Sequence, residues 1–214
     1  MMTLYGYWRS SASYRVRIAL HYKNISYQLH PVHLLEQGGE HHQKKYIAKN
    51  PQGLVPTLEL EDGFCISQSL AIISFLEDSF QAHSLFPKHT KDKALVLSMA
   101  QWLVSEVQPL QNLRTLKFLG SFDEVTEKNV DVWRTHWISE GLRVLENMVC
   151  DHGGDYCFGN QVTLADVCLI PQLYSAKHYG VDLQGYPKIY QIEKNCQQLK
   201  AFCRALPELQ PDAM

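Results

Sequence analysis

The apolar positions change their period part-way along the chain. In the first 80 residues, short β-prone runs alternate with helical ones. Thr3 to Tyr7 is short and aromatic and predicts a strand. From Tyr14 to Lys23 apolar residues fall at 14, 16, 18, 19, 20 and 22, which predicts a helix. Asn24 suits the left-handed position just past its end. Tyr27 and Leu29 alternate with polar neighbours as a second strand, and Gly38-Gly39 breaks the chain before a polar helical stretch from Glu40 to Lys49. Val55 to Leu60, a turn at Asp62-Gly63, and Phe64 to Ile66 predict a hairpin, after which Ser67-Gln68-Ser69 opens a helix from Leu70 to Glu77. The order β-α-β-α-β-β-α and the lack of a Gly-rich phosphate loop exclude a doubly wound dinucleotide fold and match a thioredoxin-like sheet.

Beyond a linker at 81–90 the strand signals nearly vanish. Lys91 to Leu119 has helical spacing interrupted at Pro109, and a second long helix is expected from about Asp123 to Cys150. Thr163 and Asp166 form a capping pair for a further helix, with Val162 placed to staple onto Val167. The expected organisation is an α/β thioredoxin-like domain over 1–80, the linker, and an all-helical domain over 91–214.

Composition narrows the class. Twenty Lys+Arg against 22 Asp+Glu leaves a formal net charge of −2, without the basic footprint that nucleic acid requires. With 45% hydrophobic and 20% charged residues, the chain of 214 is globular, one large domain or two small ones. No apolar run approaches the roughly 20 residues of a membrane span. The start, Met1 to Gly6, has no cationic and then apolar leader pattern, so a cytoplasmic protein without a signal peptide is expected. The cysteines, at 65, 150, 157, 168, 196 and 203, make no Cys-x-x-Cys pair, and their apolar flanks suggest buried free thiols.

Thioredoxin-type redox proteins carry a dithiol where strand 1 meets helix 1, and here that position reads Ser10-Ser11-Ala12-Ser13. Dithiol exchange is therefore excluded there. A helix N-terminus bearing hydroxyls stabilises an anion, and a ligand's thiolate is a good candidate. On spacing alone, Ser10 or Ser11 reads equally as a plain helix cap. Val55-Pro56, before a strand in this topology, suggests a cis-proline exposing backbone groups to a ligand's peptide portion. Gln68-Ser69 opens another helix whose N–H groups and hydroxyl can hold a carboxylate, or simply cap it. Three such loops converging on one sheet edge describe a site for a small anionic thiol peptide. His41-His42 lacks a third ligand at suitable spacing, so no metal is expected. Tyr5, Tyr7 and Trp8 read as core or wall, since a nucleic-acid stacking platform would need basic surroundings.

The run Ser10-Ser11-Ala12-Ser13-Tyr14-Arg15-Val16-Arg17-Ile18-Ala19-Leu20 resembles the zeta class of the glutathione transferase superfamily, the maleylacetoacetate isomerases. Further matches follow in family order: Asn50-Pro51, Val55-Pro56-Thr57-Leu58, Gln68-Ser69-Leu70-Ala71-Ile72-Ile73, Gln108-Pro109-Leu110-Gln111-Asn112-Leu113, Thr163-Leu164-Ala165-Asp166 and Tyr186-Pro187. The resemblance implies a glutathione transferase fold and glutathione as cofactor. It implies cis–trans isomerisation of a dicarboxylic enedione, maleylacetoacetate to fumarylacetoacetate in tyrosine and phenylalanine catabolism, by reversible thiolate addition. Ser10 and Ser11 become the catalytic residues, with Ser10 assigned to the sulfur. Glutathione contacts are implied at Ser10, Ser11, Ala12, His41, Val55, Gln68, Ser69, Gln108 and Asn112, and a substrate contact at His178. Arg9, just before the serines, and Arg114, after Asn112-Leu113, read either as guanidinium partners for a diacid's carboxylates or as solvated surface charges. A homodimer is implied, near twice 24.6 kDa. Two departures stand out. Ala12 occupies a position where many zeta enzymes have cysteine, and His178 one where relatives often have a carboxylate-holding arginine. The other functions open to the same pattern are maleylpyruvate isomerisation, conjugation of small α-haloacids, and a non-catalytic interaction module.

Overall fold

The computed structural model describes residues 1–213. By their contacts the residues fall into two units, one of Met1–Ser84 together with the chain from Gln198 onward, the other Leu85–Gln197. The sequence division assigned the C-terminal segment to the helical part; the packing returns it to the first unit.

In the first unit, β1 (Thr3–Gly6), α1 (Ser11–Tyr22), β2 (Gln28–Pro31), α2 (Lys44–Ile47), β3 (Thr57–Glu59), β4 (Cys65–Ser67) and α3 (Ser69–Ser79) follow in the expected order. The sheet runs β2-β1-β3-β4, with β1 parallel to β2 and antiparallel to β3, and β3 antiparallel to β4. Its core is built from Leu4 and Leu58 on the strands, Val16, Ile18 and Leu20 on α1, and Ile72, Ile73 and Leu76 on α3, all fully buried. Each such side chain contributes about 1.5–3 kcal/mol on burial. Asn24 takes φ +56 beyond α1, as its position in the sequence suggested.

Two sequence expectations change here. The stretch from Glu40 to Lys49 is not one helix but a 3-10 turn at Glu40–His42 and the short α2, because Gln43 between them is extended at φ −68, ψ 144. The second concerns the cysteines. All six are free, but only Cys157, Cys168 and Cys196 are buried; Cys150 is exposed, and Cys65 and Cys203 are half-buried. Neighbours along a strand alternate faces and neighbours along a helix point about 100° apart, so apolar flanks do not by themselves bury the cysteine between them.

A buried arginine joins the C-terminal segment to the first unit. Arg17 on α1 is fully buried; its Nε donates to Ala205 O at 3.2 Å and its Nη2 to Trp8 O at 2.9 Å. Burial pulls its pKa down to about 10. Trp8 N donates to Asp212 at 3.0 Å, and the short helix α9 (Lys200–Arg204) packs on α1.

The second unit is helical: α4 (Thr90–Gln101), a π-turn at Trp102–Val107, a 3-10 turn at Gln108–Gln111, α5 (Leu113–Leu119), α6 (Glu127–His152), α7 (Leu164–His178) and α8 (Pro187–Gln197). The helical period read over 91–119 is broken into four pieces, with Pro109 inside the 3-10 turn. α7 is its axis, buried without interruption from Leu164 to Leu173. Asp166 closes its first turn, accepting from Thr163 N at 2.8 Å and Thr163 Oγ1 at 2.9 Å while also taking Cys157 N at 2.8 Å. α6 packs against the π-turn at Gly141, where a Cβ would meet Val107 Cγ2 at 2.5 Å, so glycine is required for that approach. Among the described residues no helix is long and apolar enough to cross a membrane.

Candidate functional site

The junction of β1 and α1 is built around serine hydroxyls. Ser10 is the N-cap of α1, in extended backbone at φ −69, ψ 117, and its Oγ accepts from Ser13 N at 3.2 Å. Ser10 N donates to Tyr7 O at 3.0 Å, and fully buried Ser13 accepts from Tyr7 N at 3.3 Å, so the loop is held on both sides of the cap. A hydroxyl has one proton and two lone pairs. The cap uses a lone pair of Ser10, and the proton stays available to an acceptor in front of the helix. Capping and anion binding, which the sequence left as alternatives, are therefore compatible at Ser10. Ser11 and Ala12 follow in the first turn of α1, half-buried, at the end of the helix that favours an anion. Arg9 lies just before, its guanidinium 5.5 Å from the centre of the Trp8 ring.

The loop before β3 is clamped from beneath. Tyr46 Oη donates to Leu54 O at 2.6 Å and pairs with Thr57 Oγ1 at 2.9 Å, while buried Asn50 donates to Leu54 O at 2.7 Å. These hold the Val55–Pro56 peptide, which is cis as expected from the topology. At the start of α3, Gln68 takes φ +69, a conformation that non-glycine residues rarely adopt and that concentrates at ligand-binding positions. Its Nε2 donates to Gln52 Oε1 at 2.6 Å. Ser69 is buried and its Oγ accepts from Arg15 Nη1 at 2.7 Å. Arg15, itself buried, thus occupies a lone pair of Ser69 and leaves that hydroxyl free to donate.

His41 sits half-buried in the 3-10 turn before α2, its ring centre 3.8 Å from that of His42. Its Nδ1 is buried and has no hydrogen-bond partner among the described residues. Burial, and then His42, lower its pKa below the usual histidine value. Gly39, at φ +95, makes room for the ring: a Cβ there would collide with His41 Cε1. The turn is closed by reciprocal bonds, Glu40 N to His33 O at 2.8 Å and His33 N to the Glu40 carboxylate at 2.7 Å.

The remaining expected residues belong to the second unit. Gln108 opens the 3-10 turn, half-buried, with its Nε2 lacking a partner among the described residues. Asn112 caps α5 by accepting from Arg114 N at 3.1 Å, and the Arg114 side chain is exposed. His178 ends α7, exposed and edge-on to Tyr179 at 4.8 Å between ring centres. In the first unit the structure brings Arg15 to Ser69 and Gln52 to Gln68, partners that sequence reasoning missed. Arg15 was present in the quoted motif, but nothing in its spacing shows which hydroxyl it reaches.

Two family descriptions match the chain: "Glutathione S-transferase, N-terminal domain" over residues 9–79 and "Glutathione S-transferase, C-terminal domain" over 110–210. A probable maleylacetoacetate isomerase of Vibrio cholerae is 41% identical over 99% of this chain and 98% of its own. Among solved structures, a bacterial zeta-class maleylpyruvate isomerase in its holo form superposes with a TM-score of 0.94 at 36% identity, covering 99% of this chain and 100% of that one. A maleylacetoacetate isomerase of Methylobacterium extorquens, solved with bound malonate and glutathione, gives 0.94 at 34% identity over 99% of both chains.

Proposed function

The chain belongs to the glutathione S-transferase family, and from that premise we propose that it is a zeta-class, glutathione-dependent cis–trans isomerase acting on maleylacetoacetate. The observation that carries the reading is Ser10, a helix cap whose hydroxyl proton remains free for a thiolate. The donor set suits a tripeptide thiol: two hydroxyls at the start of α1, a donating Ser69 and a left-handed Gln68 at the start of α3, and an orphaned His41 Nδ1. When bound, glutathione supplies a thiolate that adds reversibly to a conjugated cis double bond and lets it rotate. The residues do the rest. Ser10 donates to the sulfur, with Ser11 beside it, and the first-turn N–H groups lower the cost of its charge. Ser69, Gln68 and the Val55 backbone hold the peptide, with His41 and Ala12 at its edges. Gln108 and Asn112 are proposed as further glutathione residues. Arg9, Arg114 and His178 are the proposed partners of the substrate's carboxylates, where a guanidinium fork matches a carboxylate plane.

A cytoplasmic homodimer is part of this proposal. Maleylpyruvate is the second substrate to test, because a maleylpyruvate isomerase matches over the full chain. A glutathione-dependent ultraviolet assay with the two substrates side by side decides between them. No turnover of either diacid would sink the isomerase reading and favour haloacid conjugation or a binding module.

A further inference from the structure

The turn at Gln108–Gln111 is held from three directions. Thr115 Oγ1 of α5 donates to Pro109 O at 2.8 Å, Trp133 Nε1 of α6 donates to Leu110 O at 2.8 Å, and Gln111 Nε2 donates to Gln172 Oε1 of α7 at 2.8 Å. The third is the informative one. Gln172 is fully buried in the most enclosed helix of the unit, and its Nε2 has no partner among the described residues. A methionine or leucine would fill that space without leaving a buried donor unsatisfied, so packing does not account for an amide there. What the amide does is hold Gln111, the last residue of the turn and the neighbour of the cap Asn112.

We infer that Gln172 is a positioning residue: through Gln111 it fixes the turn from which Gln108 and Asn112 reach glutathione. The inference rests on the proposed glutathione role of those two residues. It gives a physical reason for the cost at Gln172, since an error in the turn is passed on to both.

The test is calorimetric titration of glutathione into the full chain. Gln172→Met should weaken binding about tenfold, the scale of one displaced hydrogen-bonding turn, without lowering the melting temperature. Gln111→Met, a half-buried position, should weaken binding by a similar factor from the other end of the bond, with some loss of melting temperature because buried Gln172 is left unpaired, and it keeps the test alive if the first variant fails to fold. In a Gln108→Ala, Asn112→Ala background, Gln172→Met should change the affinity less than about twofold, because the residues it positions are gone. Unchanged binding in both single variants, or an undiminished effect in that background, overturns the inference alone. Failure of the natural chain to bind glutathione overturns it together with the proposed function.

Discussion

Ser10 uses a lone pair for the fold and keeps a proton for chemistry, and the two uses separate by substitution. Ser10→Ala removes both, so stability should fall by about 1 kcal/mol and turnover about 10- to 150-fold, as expected for losing a hydrogen bond of about 1.5–3 kcal/mol to a charged sulfur. Ser10→Gly caps nearly as well as serine, so its melting temperature should stay close to the natural value while turnover falls as far. A glycine variant with full turnover would reduce Ser10 to a cap. Arg114 has an exposed side chain, so Arg114→Ala should leave the fold intact. It should raise KM for a dicarboxylate more than for a neutral electrophile, which has no carboxylate to lose a partner. Equal effects on both would move the carboxylate site to Arg9 or His178. At this scale the sequence named the hydroxyls and the arginine, because residue type carries their chemistry. It did not show Arg15 on Ser69 or Gln172 on Gln111, since those bonds span 54 and 61 residues.

The elements were legible where a periodic pattern met a local signal. β1 to β4 and α1 to α3 appear in the predicted order, and the Thr163–Asp166 pair caps α7 as read. Where the chain leaves regular geometry, periodicity misled: the π-turn over Trp102–Val107 keeps helical spacing while changing its bonds, and Gln43 breaks a polar helix with no proline or glycine to announce it. Asp166 shows what one capping residue supports. Asp166→Ala removes the cap and also leaves buried Cys157 N without its acceptor, so a loss of about 2–4 kcal/mol is expected in urea unfolding. A loss under about 1 kcal/mol would mean the Cys157 bond contributes nothing. Glu59 on β3 links Lys49 at 2.6 Å and Tyr5 of β1 at 2.7 Å, and these bonds, Lys49 first, hold its carboxyl below the usual range. A depressed folded pKa gives stability that is present above the ordinary carboxylate value near ~4.3 and lost as pH falls through the folded one. The pair is partly exposed, so the amount is under about 1 kcal/mol. Glu59→Gln should lower stability near neutral pH by up to that amount, change little at acid pH where Glu59 is protonated anyway, and so flatten the acid limb of the stability curve.

At the scale of the molecule, the sequence divides where composition changes, but the packing follows contacts that composition does not register. Nothing in the last residues marks them as partners of α1, yet Arg17 and Trp8 take their acceptors there. The consequence is testable by truncation after Gln197, at the boundary between the units. Removing the segment uncovers α1 and deprives a buried guanidinium of the Ala205 carbonyl, and a buried charge short of an acceptor is costly. The first unit, with the Ser10 cap at the head of that same helix, should bear the loss. Retention on immobilised glutathione should therefore disappear and the melting temperature should drop by about 10 °C or more, at roughly 2–4 °C per kcal/mol for a chain of this size. Arg17→Met in the full chain separates the two contributions: it removes the charge, so it should recover part of the stability if truncation is then repeated on that background. A truncated chain that melts and binds like the natural one would show that the segment only covers the unit, and that Arg17 finds solvent in place of Ala205.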